Sequence, residues 1–218
     1  QILFKDKYVR YFDVPQNYQD SVGGNYYIHE MQVLRDDLGR IAGKPVSDDA
    51  LRASIRIYNE NRRAIQALYK YRSAKPWQAP TAEVYLVLRA GMLLPVEEHT
   101  LLVREYIAAT DAVARPLRAN ARIVLTCAFC EQPPLSLIKS IEMAGCYIVD
   151  DDFMLVMRML FDDVVETGDP LEELSKSFLH RSIQTSSKYD EFKKDKGKYL
   201  LDSTKLNAGE GVIFAAPS

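Results

Sequence analysis

The hydrophobic positions change period along this chain. Tyr27, Met31, Leu34, Leu38 and Ile41 recur at helical spacing up to Gly43, and Lys44-Pro45 breaks the run. Ser47 then stands as a cap before Asp48 and Asp49, which favour the positive end of a helix. Leu51, Ile55, Tyr58, Ile65 and Leu68 set the buried face of that long helix, which ends before Lys75-Pro76. Residues 80–93 and 96–113 read as two further helices hinged at Leu94-Pro95, and 114–120 as a linker. Ahead of these, Lys7 to Asp13 alternates apolar and polar residues and predicts a strand, followed by a polar loop from Gln16 to Gly24.

Beyond the linker the pattern shortens. Ile123, Val124 and Leu125 form a β-branched run, Pro133 and Pro134 suit the first turn of a helix, and Leu137, Ile138, Ile141 and Ala144 share one face of it. Gly145 stops the helix and Tyr147 to Val149 begins a second buried strand, completing a parallel, right-handed βαβ unit. A short apolar helix is expected over Phe153 to Phe161. Asp169, Pro170 and Glu172 then make a capping box ahead of Leu171, Leu174, Phe178 and Leu179. Residues 182–187 read as loop, 189–208 as a last helix, and Gly211 to Phe214 as a third strand. A crossover that long carries the third strand to the far side of the first, giving the order second, first, third. The strands of Ile123 and Val212 would then lie about 5 Å apart, with Ser218 beside the Cys130 loop.

The expected fold class is therefore α/β: two Rossmann-like units with parallel strands. Residues 1–116 form a helix-rich unit, and 117–218 a truncated doubly wound unit with a three-stranded sheet. Both ends look cut, since the chain opens on Gln1 and closes on a buried-strand pattern with no element to cover it.

Composition narrows the function classes. Lys and Arg number 28 against 30 Asp and Glu, so a net charge of −2 offers no global field for nucleic acid or an acidic membrane surface. No apolar run reaches the roughly 18 residues of a membrane span and no charged-then-apolar leader opens the chain. With 3 cysteines, an odd count, a reducing compartment fits better than a disulfide framework, which places the chain in the cytoplasm. No glycine-rich phosphate loop or GxSxG motif supports ATP hydrolysis or serine-hydrolase chemistry.

Cys127 and Cys130 have CxxC spacing where a helix N-terminus would stabilise a thiolate. A dithiol redox site, a zinc site and plain buried cysteines all remain open. Zinc lacks a second ligand pair, and Cys127 and Cys146 are flanked by strand hydrophobes. Cys130 alone leaves the strand for the edge where α/β proteins bind ligands, followed by Glu131 and Gln132. Asp150, Asp151 and Asp152 end the second strand, and capping the next helix is the simplest role for them. His29, His99 and His180 stand singly, as surface or satisfied side chains. The basic set Arg181, Lys188, Lys193, Lys194, Lys196 and Lys198 offers contacts for ligand phosphates, but interleaved acids fit a solvated helix face better. Tyrosines concentrate before residue 76, which suits aromatic packing around a ligand and ordinary helix packing alike.

The stretch Phe-Cys-Glu-Gln-Pro-Pro at 129–134, the Leu-Ile-Lys-Ser-Ile-Glu-Met-Ala-Gly-Cys that follows, and Val149 to Asp152 resemble the benzoyl-CoA reductase and 2-hydroxyacyl-CoA dehydratase family, on the reductase side. The resemblance extends to Tyr8 to Pro15 and to Asp169-Pro170. It implies a subunit with two α/β domains and a [4Fe-4S] cluster held by three cysteines, of which Cys130 matches one. The other two are expected before Gln1 and just after Ser218, so this stretch alone is expected to be inactive. Glu131 and Gln132 would lie around the cluster sulfurs. The implied partners are a homologous iron-sulfur subunit, an ATP-hydrolysing iron-sulfur electron donor, and a CoA thioester, here an aromatic one. A 2-hydroxyacyl-CoA dehydratase subunit, or a non-catalytic scaffold or dithiol module, is the alternative.

Overall fold

The computed structural model describes residues 7–15, 17–127, 133–153, 162–181 and 189–215. A single π-helical turn, Asp20–Gly24, runs into α1 (Asn25–Ala42), followed by α2 (Asp48–Ala74), α3 (Thr81–Ala90) and α4 (Val96–Asp111). Then come β1 (Ala121–Cys127), α5 (Leu135–Met143), β2 (Cys146–Asp151), α6 (Pro170–Arg181), α7 (Tyr189–Leu206) and β3 (Gly211–Ala215).

The three strands form one parallel sheet in the order β2-β1-β3, as the long crossover requires. Alternation along β1 divides its side chains between two layers. Ile123, Leu125 and Cys127 join the main core with Leu68, Val84, Leu88, Ile138 and Ile148. Val124 faces the other way, onto Val149 and Leu200 of α7. Helices thus cover both faces, which makes the sheet doubly wound and the fold α/β. In the β1–β2 ladder the register shifts between Ile123 and Val124, so that Val124 pairs with Asp150. A bulge of this kind increases local twist and re-aims the residues that follow, here the aspartates.

Local signals are used as the pattern predicts. Ser47 Oγ accepts from the Ala50 N–H at the start of α2. Asp169 Oδ1 accepts from Leu171 and Glu172 N–H, while the Glu172 carboxylate turns outward to Lys176. Gly145, with φ 92, closes α5, and its carbonyl accepts the Ala121 N–H that opens β1. Two details differ from expectation. Pro134 is extended (ψ 147) and caps α5 from outside, because the turn into the helix is made one residue later. At the end of α7 the left-handed residue is Ala208 (φ 49), and Gly209 N–H then returns to Thr204 O at 2.7 Å.

The strand expected over Lys7–Asp13 has no ladder partner among the described residues. Its alternation serves a helix instead. Tyr8 donates to Asp37 (2.8 Å), Arg10 pairs with Glu30 (2.9 Å), and the Phe12 ring meets Tyr27 at 5.6 Å, all on α1. The helix-rich half therefore contributes no strand among the described residues. Tyr58, expected on the buried face of α2, is 42% exposed. The expected helix over Phe153 to Phe161 and the loop at 182–187 lie outside the described residues, Phe153 itself excepted. Among the described residues no helix is long and apolar enough to cross a membrane.

The histidines meet the expectation for single residues. His29 is exposed, and His180 Nε2 contacts Asp20 at 2.7 Å. His99 is buried at 1% exposure: Asn61 Nδ2 donates to its Nδ1 (3.0 Å) and its Nε2 donates to Val87 O (3.0 Å). The ring fills the space above Gly91, where a Cβ would come within 2.6 Å of it. Burial lowers the pKa of His99, with the Val87 carbonyl opposing. The folded chain therefore keeps this ring neutral while the unfolded chain takes up a proton below about pH 6.5, and stability falls with falling pH. Urea unfolding from pH 7.5 to 5.5 is expected to show that decline in the unmodified chain and a flatter profile in His99→Gln; parallel profiles would show that another group is responsible.

Candidate functional site at the carboxyl edge of the sheet

The crevice outside the carboxyl ends of the strands, where strand order reverses, is the ligand position of an open α/β sheet. Here β1 lies between its partners, and Cys127 at its end is register partner to Ala215 at the end of β3. β1 and β3 therefore end side by side at the same edge of the sheet. Cys130, Glu131 and Gln132, like Ser218, lie outside the described residues.

The helix that the three aspartates were expected to cap lies outside the described residues; among the described residues each aspartate is turned inward to a different task. Asp152, 6% exposed, clamps the end of β1: its Oδ1 accepts from the Cys127 N–H (2.9 Å) and its Oδ2 from Thr126 Oγ1 (2.5 Å). The Cys127 thiol also donates to Asp152 Oδ1 at 3.6 Å, so this sulfur is engaged within the fold. Asp151, 0% exposed, accepts from Arg72 Nη1 (2.7 Å), Tyr69 OH (2.9 Å) and the Phe153 N–H (3.1 Å). Asp150 accepts from Ser203 Oγ of α7 at 2.5 Å and faces Arg72 Nη2 at 3.9 Å. A run of carboxylates that would be solvated at a helix N-terminus here joins β1, α2 and α7 to the end of β2.

Arg72 makes this arrangement tolerable. It is wholly buried, its guanidinium stacks on Tyr69 with Cζ 4.5 Å from the ring centre, and Asp151 and Asp150 face it. Burial works most strongly against its charge, but Asp151, Tyr69 and Asp150 together outweigh it and raise its pKa. The sequence held a signal for this residue. Ile65, Leu68 and Arg72 fall on one helical stripe, and a cation continuing an apolar stripe needs a buried acid.

The other cysteine is placed differently. Cys146 opens β2, at the amino edge of the sheet, paired with Ala121. Lys198 forms an exposed pair with Asp202 (2.9 Å), as a solvated helix face requires, and the side chains of the other members of that basic set lie outside the described residues. Among the described residues no group of three or more His, Cys, Asp and Glu is placed to hold a metal ion.

A doubly wound, parallel α/β sheet defines the class. Sequence comparison defines the family: residues 1–218 match 2-hydroxyglutaryl-CoA dehydratase, D-component, and the chain belongs to this benzoyl-CoA reductase and 2-hydroxyacyl-CoA dehydratase family. A benzoyl-CoA reductase subunit of Thauera aromatica is 56% identical over 218 residues, covering 100% of this chain and 56% of the relative. Lactoyl-CoA dehydratase subunit beta of Anaerotignum propionicum is 27% identical over 205 residues, covering 94% of this chain and 54% of the relative. (R)-2-hydroxyglutaryl-CoA dehydratase, subunit beta, of Acidaminococcus fermentans is 23% identical over 216 residues, covering 98% and 56%. The chain thus spans about half the length of the curated relatives it matches.

Breaking the Arg72–Asp151 pair is expected to expose its role. Arg72→Met leaves Asp151 buried without its cation and should cost about 3–5 kcal/mol by urea unfolding. Arg72→Met combined with Asp151→Asn should recover a substantial part, because an asparagine oxygen still accepts from Tyr69 and Phe153 N–H. Additive losses in the double variant would count against the pair as the coupling element.

Proposed function

We propose that the intact protein is a subunit of an iron-sulfur enzyme that transfers low-potential electrons to an aromatic CoA thioester of the benzoyl-CoA type. The single observation that carries the structural side of this reading is the pairing of Cys127 with Ala215. It sets the ends of β1 and β3 at one edge, which supports a cluster shared by a thiolate from the Cys130 loop and one from the longer chain after β3. The 56% identity to the benzoyl-CoA reductase subunit of Thauera aromatica, against 27% to lactoyl-CoA dehydratase subunit beta, favours reduction over dehydration.

In this reading Cys130 supplies one thiolate of a [4Fe-4S] cluster, the remaining ligands come from the longer protein, and the bound cluster supplies one-electron transfer. Cys127 is the weaker candidate because its sulfur already donates to Asp152, and Cys146 because it opens β2 at the opposite edge. Asp152 holds the backbone of Cys127 three residues before the proposed ligand and so fixes where the loop departs. Gln132, through its amide N–H groups, would donate to the cluster sulfurs, and Glu131 would act on the cluster through its charge and its backbone N–H. A homologous iron-sulfur subunit and an ATP-hydrolysing iron-sulfur donor complete the proposed complex in the cytoplasm.

Cysteine-to-serine variants of the intact protein, prepared without oxygen and analysed for iron and labile sulfide, test the assignment. Cys130→Ser is expected to lose most of its iron, while Cys127→Ser and Cys146→Ser retain it. Equal loss on replacing Cys127 would move the ligand to the strand end, and full retention in Cys130→Ser would remove the cluster argument.

A further inference from the structure

Away from the sheet edge, a cavity of about 580 Å³ opens between the extended segment before Pro15, α1, the first half of α2, and α6. Its wall is almost wholly apolar, with Phe12, Tyr27, Leu34, Leu174 and Phe178 among the lining side chains. The Tyr27 and Phe178 rings stand 4.9 Å apart, a firm aromatic wall, whereas Leu38, on the rim, is 46% exposed. The volume lies within the range of small-molecule sites.

Two arginines, Arg35 and Arg62, interrupt the apolar wall, and they differ in burial and pairing. Arg62 is only 6% exposed. Its Nη2 donates to Asn59 Oδ1 at 2.6 Å, an uncharged acceptor that also takes the Val164 N–H. Its Nε has no hydrogen-bond partner. Arg35, in the same wall, pairs with Asp48 at 2.7 Å, and Asp163 bonds Arg63; Asp163 acts on Arg62 only through space, and burial outweighs it. A buried guanidinium against an oily wall, bonded to an amide rather than a carboxylate, is a costly arrangement that an anion in the cavity would relieve.

We propose that this cavity binds a small amphipathic carboxylate: an aromatic or branched apolar body against Tyr27, Leu174 and Phe178, and a single anionic head directed to Arg62. The charge fixes the class, since an uncharged ligand would leave the guanidinium as it is. The site shares no residue with the carboxyl edge of the sheet, so it stands or falls separately from the electron-transfer reading.

Calorimetric titration of the intact protein with 4-phenylbutanoate, and in parallel with the neutral 4-phenylbutanamide, tests the proposal. Saturable binding of the acid, with the amide at least about tenfold weaker, is expected from a charge-assisted contact. Arg62→Met should abolish that preference, and Leu174→Trp, which fills the cavity, should remove binding of both while circular dichroism and the unfolding midpoint stay close to the unmodified chain. Should Arg62→Met fail to fold, the comparison of acid with amide on the unmodified chain still decides. Absence of saturable binding, equal affinity for acid and amide, or binding that survives Leu174→Trp would each overturn the assignment.

Discussion

The buried pairing of Arg72 with Asp151 is the interaction on which the rest of the structure depends. Neither charge is tolerable alone in a water-free interior, so each fixes the place of the other. Because Arg72 lies in the last turn of α2 and Asp151 ends β2, the pair joins the longest described helix to the edge of the sheet. From that point α2 acts as a ruler laid through the molecule. Asn59 holds the backbone of Val164 through both its N–H and its carbonyl, Asn61 reaches Thr100 of α4, and Arg52 bonds Gly168 O ahead of α6. Elements far apart in sequence are thereby referred to one helix.

The same pair governs the geometry of the carboxyl edge. Consecutive strand residues point to opposite faces, so three adjacent aspartates cannot all face one ligand. The bulge beside Val124 and the turn at Asp151–Phe153 distribute them instead, Asp150 toward α7, Asp151 toward α2 and Asp152 across to β1. Every carboxylate finds donors, as buried charge requires. The result is a stiff frame around the place where the Cys130 loop leaves β1.

Most of the fold was legible in the sequence because the signals were local. Gly43, Ser47, Asp169 and Gly145 mark helix ends by conformation and capping, and these depend only on immediate neighbours. The strand order was legible too, since a long crossover and right-handedness leave few alternatives. What failed was pairing at a distance. Lys7 to Asp13 has the alternation of a strand, yet Tyr8, Arg10 and Phe12 direct it to α1, and nothing in a period of two names the partner. The partners of the aspartates were hidden for the same reason: Arg72 for Asp151, Ser203 for Asp150 and Cys127 for Asp152 all lie far away in sequence. At the candidate site the clamp on Cys127 could not be read, because it depends on how β1 and β2 are aligned.

That clamp changes how the CxxC spacing should be weighed. In a dithiol site both sulfurs face the same reactive space. Here Cys127 is the last residue of a buried strand, its N–H and S–H both directed to Asp152, and its side chain belongs to the main core. A sulfur so committed adds stiffness to the strand end. The two cysteines of the motif are thus separated by position, and in the proposed reading by function: one anchors the strand from which the loop departs, and the other is carried by that loop toward the crevice between β1 and β3. Reading CxxC as a pair would discard this asymmetry, which follows directly from a strand ending between the two sulfurs.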